Sequence, residues 1–371
     1  MQPIRFIMIG GFLGAGKTTT IGRLARHYTD IGLKVAVVTN DQAYGLVDTM
    51  SLKAQGFAVG EVPGACFCCK FDDLVSVSAS LREDQIPDVI ITEPVGSCTD
   101  LVATVIEPLR HLHGDEYEIA PLAVLLKPGH GLKILRGDSG QGFSPKAAYI
   151  FLKQLEEADV IVINKVDKLD AAKREEIDSL IKSRFPNRTV LQHSAQDGEG
   201  FESLVEALAG ERPATGEFMD VDYDIYAEGE AELGWLNASY TLTATGDGML
   251  AINQVAKRFV EICHDLMKQS EVEPAHLKTL VESVDGQAAL ANLVGSDVDV
   301  ELSVSNDSRA NEVTMTVNAR VATGPEDLAA IIASAVAQVS KELGCDAEEV
   351  SQQSFRPGRP TPTHRLGASE S

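Results

Sequence analysis

The residues best suited to chemistry lie near the start of the chain, where Gly11-x4-Gly16-Lys17-Thr18 follows an apolar run and precedes a helical pattern. Glycines at this spacing, with Gly14 and Ala15 inside the loop, let backbone N–H groups converge on phosphate oxygens. The helix N-terminus that follows adds a favourable dipole. Lys17 is expected to reach the β- and γ-phosphates, and the Thr18 hydroxyl to take one Mg²⁺ position. An ordinary glycine turn is the weaker explanation, because the strand and helix that the motif requires are both in place.

A second short motif, Asn164-Lys165-x-Asp167, bears on which base accompanies the phosphates. A carboxylate accepts two hydrogen bonds from N1–H and the 2-amino group of guanine. Adenine offers no such pair, and the acid would stay unpaired against it. GTP is therefore expected over ATP. Ser194-Ala195 follows the next apolar run and is expected on the same side. Asp41 and Glu93 are the acidic candidates beside the γ-phosphate and Mg²⁺, and Gly96 is a candidate backbone donor to the γ-phosphate.

The third feature is Cys66-Phe67-Cys68-Cys69, half of the chain's six cysteines in four residues. Alternate residues of an extended segment point the same way, so Cys66 and Cys68 are expected to face one ion, with Cys69 turned away from that pair. Thiolates suit Zn²⁺ or another late transition ion such as Co²⁺ or Ni²⁺. A small buried cysteine cluster or a redox pair competes with that reading. Cys98, five residues after Glu93, is a candidate extra ligand with packing the favoured reading, and Cys263 reads as a core residue.

Such groups need a scaffold that brings several loops together. Apolar runs at Lys34–Thr39, Asp88–Thr92, Leu122–Leu126, Asp159–Ile163 and Thr189–Leu191 alternate with helical stretches around 71–85, 98–113, 144–157, 170–184 and 200–209. This pattern predicts a doubly wound, mostly parallel α/β sheet with ligand sites at the strands' carboxyl ends. At 371 residues, the chain has room for two domains. Residues 1–211 are expected to form the nucleotide-binding domain, 212–232 an acidic linker, 233–355 a smaller α+β domain, and 356–371 a disordered tail. In the second domain, apolar helices around Ile252–Leu266 and Leu328–Leu343 alternate with strands, and Val298–Val304 with Val313–Val321 suggest a hairpin. A ferredoxin-like arrangement is one form this domain can take.

The net charge of −23 excludes nucleic acid as the main partner. It is carried mostly by residues 220–371, with 25 acidic against 10 basic residues. No apolar run approaches membrane-spanning length and no secretion signal is visible, so a cytoplasmic location without membrane contact is expected.

Taken together, GGFLGAGKTT, Cys-x-Cys-Cys, Glu-x-x-Gly and Asn-Lys-x-Asp resemble the CobW-type metallochaperone GTPases, relatives of the HypB and UreG nickel-insertion proteins, over residues 3–210. The resemblance implies a GTPase that binds a transition metal at its cysteines and hands it to a client metalloprotein. Lys17, Thr18 and Thr19 would handle phosphates and Mg²⁺; Asp41 and Glu93 would support the metal and switch chemistry. Asn164, Lys165 and Asp167 would bind guanine, and Cys66 and Cys68 the transferred ion. This chain departs from the pattern in having Asn40-Asp41 for Asn-Glu, Pro94-Val95 after Glu93 for Thr-Thr, and Leu126-Lys127-Pro128 for a Val-Asp dipeptide. A regulatory GTP switch with structural cysteines is the competing function, and a phosphotransferase a weaker one. Homodimer formation is left open, and the second domain is expected to recognise the client.

Overall fold

A computed structural model describes residues 3–41, 47–81, 86–137, 144–214 and 218–367, without the side chains of Asp41 and Ala54. The chain divides into two compact units, Met1–Tyr44 with Gln55–Gly229 and Arg359–Ser371, and Gly45–Ala54 with Glu230–Gly358.

Among the described residues, the first unit contains β1 (Ile4–Gly11), β2 (Val35–Asp41), β3 (Ala58–Pro63), β4 (Val89–Glu93), β5 (Tyr117–Ile119), β6 (Ala123–Leu126), β7 (Val160–Ile163) and β8 (Thr189–Gln192). They run in the order β3-β2-β4-β1-β6-β7-β8, with β5 also beside β1, and every pairing is parallel. β1 is central because it is apolar on both faces: Phe6, Ile7, Met8 and Ile9 are all buried. Each such side chain contributes roughly 1.5–3 kcal/mol when removed from water. This is the doubly wound α/β sheet expected from the sequence, and helices connect its strands. Two of them start where side-chain chemistry dictates: Ser144 Oγ accepts from the Lys146 and Ala147 amides ahead of the helix Pro145–Glu157, and Asp170 accepts from the Lys173 amide ahead of Ala171–Arg184.

The expected linker and tail need correction. Arg212 is only 6% exposed and pairs with Glu107 at 2.7 Å and Asp159 at 2.6 Å, so it belongs to the core of the first unit. Residues Tyr223–Ala231 form a helix with Tyr226 fully buried. The acidic run hid that apolar contact. Residues 356–367, expected as a disordered tail, are ordered by specific contacts described below.

The second unit has an antiparallel sheet ordered β13-β12-β11-β15-β9-β16. Its strands are β9 (Gly234–Ala244), β11 (Pro274–Ser283), β12 (Ala288–Leu293), β13 (Glu301–Val304), β15 (Glu312–Val321) and β16 (Cys345–Phe355). A two-residue ribbon, β10 (Leu250–Ala251) with β14 (Arg309–Ala310), is separate. The helices Ile252–Gln269 and Pro325–Leu343 bury Val255, Phe259, Cys263, Ile332 and Val339 against this sheet. Strand order β11-β15-β9-β16 around two helices is that of the split β-α-β ferredoxin-like arrangement. The expected hairpin is absent: β13 pairs with β12, and β15 lies between β11 and β9. Alternation identified the faces of these strands but carried no information about their partners. The helix Val47–Ala54 joins the same unit, with Val47 packed near Leu280 and Leu290 and Asp48 paired with Lys278.

Candidate functional site: a phosphate loop and a cysteine turn

The loop between β1 and the helix Lys17–Asp30 is shaped by its glycines. Gly11 has φ +131°, and a Cβ there would lie 2.2 Å from the Leu125 carbonyl oxygen. Gly16 has φ +92°, and a Cβ would lie 2.3 Å from Asn164 Nδ2. Neither position can carry a side chain without moving a neighbour. The result is a cradle of backbone at the carboxyl end of β1. Lys17 is buried and donates to the Gly11 carbonyl at 2.9 Å. Thr18 Oγ1 donates to Glu93 Oε1 at 3.1 Å, so the two residues expected at Mg²⁺ are adjacent. Thr19 is exposed one position further on. Gly96 abuts the loop, since a Cβ there would meet Leu13 Cδ2 at 2.6 Å. Asp41 ends β2, but its side chain lies outside the described residues.

The residues expected to select the base meet the same loop. Asn164 Nδ2 donates to the Ala15 carbonyl at 2.7 Å, and its Oδ1 accepts from the Ala195 amide at 3.0 Å. Asn164 thus ties the phosphate loop to the loop after β8. Lys165 adopts φ +59°, turning the chain so that Asp167 accepts from Ser194 Oγ at 2.7 Å. The residues read from the sequence as phosphate-binding and guanine-binding therefore converge, and the cradle, buried lysine and paired Asp167 suit a guanine nucleotide.

Cysteines 66, 68 and 69 lie on a tight turn, not an extended segment: the Cys69 and Lys70 amides both donate to the Cys66 carbonyl at 3.0 Å. This corrects the expected direction of Cys69, because the turn brings it back to the other two. Sulfur separations are 2.8 Å for Cys66–Cys68, 3.4 Å for Cys66–Cys69 and 3.7 Å for Cys68–Cys69. A zinc tetrahedron with Zn–S bonds of ~2.3 Å has edges of about 3.8 Å, so only the closest pair has to open appreciably to admit an ion. Hydrogen bonding with the Cys68, Cys69 and Cys98 thiols holds the Cys66 thiol well below its ordinary pKa. The Cys69 thiol, bonded to Cys66, is pushed up to about 11. Three sulfurs gathered in one turn are the donor set of a soft metal site.

Several residues that sequence reasoning passed over position this turn. Asn40 Nδ2 donates to the Val62 and Ala65 carbonyls, both at 2.7 Å, while its Oδ1 accepts from the Phe67 amide at 2.9 Å. The end of β2 therefore grips both sides of the turn. Cys98, read mainly as packing with a ligand role left open, is buried and hydrogen-bonds to Cys66. The segment 361–366 lies along the motif: the Thr361 amide donates to Cys69 Sγ at 3.2 Å and the Thr363 amide to the Cys68 carbonyl at 2.8 Å. Arg365 Nε donates at 2.7 Å to Asp100, which also accepts from Tyr223 Oη at 2.8 Å. Glu157 is buried beside this group, and desolvation pushes its carboxyl up to about 8. Nothing in the local sequence around 361–366 signals these contacts.

Comparison with known proteins agrees with this geometry. Residues 5–192 match the family model "CobW/HypB/UreG, nucleotide-binding domain". The chain is 32% identical over 169 residues to the zinc chaperone YeiR of Escherichia coli, covering 43% of this chain and 46% of that protein. It is 27% identical over 223 residues to the zinc chaperone CobW of a Sinorhizobium species, covering 52% and 59%. The aligned stretch thus spans about half the length of these relatives. Among solved structures, Zn(II)-bound YjiA GTPase from E. coli superposes with a TM-score of 0.39 at 15% identity, covering 90% of this chain and 99% of that one. No described helix is long and apolar enough to cross a membrane. By its matched nucleotide-binding domain, the chain belongs to the CobW/HypB/UreG family.

Proposed function

We propose that this protein is a GTP-hydrolysing metallochaperone that carries a transition metal on its cysteine turn and delivers it to a client metalloprotein. The observation that carries this reading is the convergence of Cys66, Cys68 and Cys69, whose sulfurs lie within 4.8 Å of one another in the unit that also holds the phosphate loop. Zinc is the favoured cargo over Co²⁺ or Ni²⁺, because clustered thiolates suit it and two relatives are named zinc chaperones.

In this reading Lys17 exchanges the Gly11 carbonyl for β- and γ-phosphate oxygens, and Gly14, Ala15, Gly16 and Thr19 complete the loop around them. Thr18 and Glu93 are the residues that would hold Mg²⁺, with Asp41 at the neighbouring strand end. Bound there, the ion neutralises charge on the transferring phosphoryl group. Water attacks the γ-phosphorus as the bond to the β–γ bridging oxygen breaks, giving GDP and phosphate. Gly96 gives a backbone N–H to the γ-phosphate and so registers its loss. Asp167 selects guanine, oriented by Ser194, while Lys165 and Ala195 flank the base. Because Asn40 grips the cysteine turn from the end of β2, a shift at that strand end reaches the thiols directly. The second unit recognises the client.

The test is a titration of Zn²⁺, Co²⁺ and Ni²⁺ into reduced protein with Mg²⁺ and a non-hydrolysable GTP analogue. Tight binding that Cys66→Ser with Cys68→Ser abolishes is expected. Unchanged affinity in the double variant would leave a GTP switch with structural cysteines as the function.

A further inference from the structure

We propose that Cys98 is a fourth metal ligand, closing the site begun by Cys66, Cys68 and Cys69 and joining it to the loop that starts at Glu93. The inference rests on the metal-carrying reading of the cysteine turn and adds a ligand to it from a different segment of the chain.

Three thiolates leave zinc with one place for water or a client's ligand, whereas four close the tetrahedron. Cys98 adjoins the group of three at Cys66 and would draw in toward the ion to supply the fourth. It is 1% exposed, and its thiol hydrogen-bonds to the Cys66 sulfur. Its backbone is fixed in place: the Cys98 amide donates to the Val95 carbonyl at 2.9 Å, and Gln154 Nε2 donates to the Gly96 carbonyl at 3.0 Å and the Cys98 carbonyl at 2.8 Å. Gln154 is itself buried on the helix Pro145–Glu157. The loop thus presents Cys98 from a hydrogen-bonded, buried support.

The same loop reaches the phosphate site. Glu93 accepts from Thr18, and Gly96 presses on Leu13 within the phosphate loop. A displacement of Gly96 is passed to Cys98, two residues on, and from there to a bound ion. Binding Zn²⁺ to four cysteine sulfurs displaces whatever protons the thiols carry and leaves a complex of charge −2. Loss of the Cys98 sulfur from that complex reopens one coordination place, which a client ligand can take. Retention and release would then differ by a single residue on the nucleotide-sensing loop.

X-ray absorption at the zinc edge of the reduced, zinc-loaded full chain counts the sulfurs directly. Wild type is expected to show four at about 2.3 Å, and Cys98→Ser three plus one lighter ligand at ~2.0–2.2 Å. Zinc affinity, measured by chelator competition, should fall by about tenfold or more in Cys98→Ser, since even indirect supports of a site cost that much. Cys98→Ala serves as the second variant, with circular dichroism to check folding, and the wild-type count decides even if both variants misfold. Zinc release should differ between GDP and a non-hydrolysable GTP analogue in wild type, and that ratio should move toward one without Cys98. Three sulfurs in wild type, or an unchanged count and affinity in folded variants, overturns this proposal alone. A wild-type chain that takes up no zinc overturns the metal reading beneath it as well.

Discussion

The Thr361 backbone N–H donates to the Cys69 sulfur over 3.2 Å, joining the end of the described chain to the cysteine turn. This contact is held by Arg365, whose Nε reaches the buried Asp100 carboxylate at 2.7 Å. Asp100 is 1% exposed and sits at φ +65°, so its position depends on its partners. Arg365→Ala should therefore loosen the segment. We expect a stability loss of about 2 kcal/mol, below that of a fully buried pair because Tyr223 still bonds to Asp100 and Arg365 is partly exposed. Alkylation of metal-free protein followed by mass spectrometry should show Cys69 reacting several-fold faster. Unchanged Cys69 labelling would mean that the segment does not shield the turn.

Asp167 is hydrogen-bonded to Ser194 and stands beside the loop that Asn164 ties to the phosphate cradle. Replacing its carboxylate by an amide sets an N–H against guanine's donors. Asp167→Asn should weaken GTP by at least about a hundredfold while retaining xanthosine triphosphate, whose ring offers a carbonyl at the corresponding place. Competition binding with the two nucleotides measures this. Equal losses for both would remove Asp167 from base selection.

Asn40 holds the cysteine turn through three hydrogen bonds without reaching the sulfurs itself. Asn40→Ala leaves the Val62 and Ala65 carbonyls and the Phe67 amide short of partners, and the turn should spread. Zinc affinity is expected to fall ~10–100-fold, as for other supports of a metal site. The measurement is chelator competition on the reduced protein, with the three cysteines intact.

Glu157 makes a statement about pH. Burial raises its folded pKa from 4.5 to about 8, despite hydrogen bonds from the Val102 amide and Thr99 that favour the charge. Between those values the folded chain holds a proton that the unfolded chain has released, so this group makes stability fall as pH rises. The slope is about 1 kcal/mol per pH unit. Glu157→Gln, which cannot ionise, should flatten that part of the denaturation profile and be relatively more stable near pH 8. A slope unchanged by the substitution would place its origin elsewhere.

The legible part of this protein was local. Gly11 to Thr18 and Asn164 to Asp167 each carry their chemistry in a few consecutive residues, and the uninterrupted apolar runs of β1 and β7 report a sheet covered on both faces. Contacts between distant segments were not legible. Cys98 meets Cys66 because β2 pairs with both β3 and β4, bringing the turn after β3 near the loop after β4, an arrangement that the local sequence around either cysteine does not reveal. Tyr226 was masked by the acids around it, and Arg365 by a proline-rich, polar neighbourhood that resembles a solvated tail. In the second unit, pleat alternation marked β13 and β15 as strands, but β12 and β11 intervene between them.

In the proposed function, GTP hydrolysis and metal transfer are one coupled event. It is tested most directly in a single turnover of zinc-loaded protein, with phosphate release and zinc capture by a chromophoric chelator followed together. We expect zinc to leave with the phosphate when GTP is supplied and to be retained with a non-hydrolysable analogue. Zinc transfer at the same rate with GTP, with the analogue and without nucleotide would contradict the account.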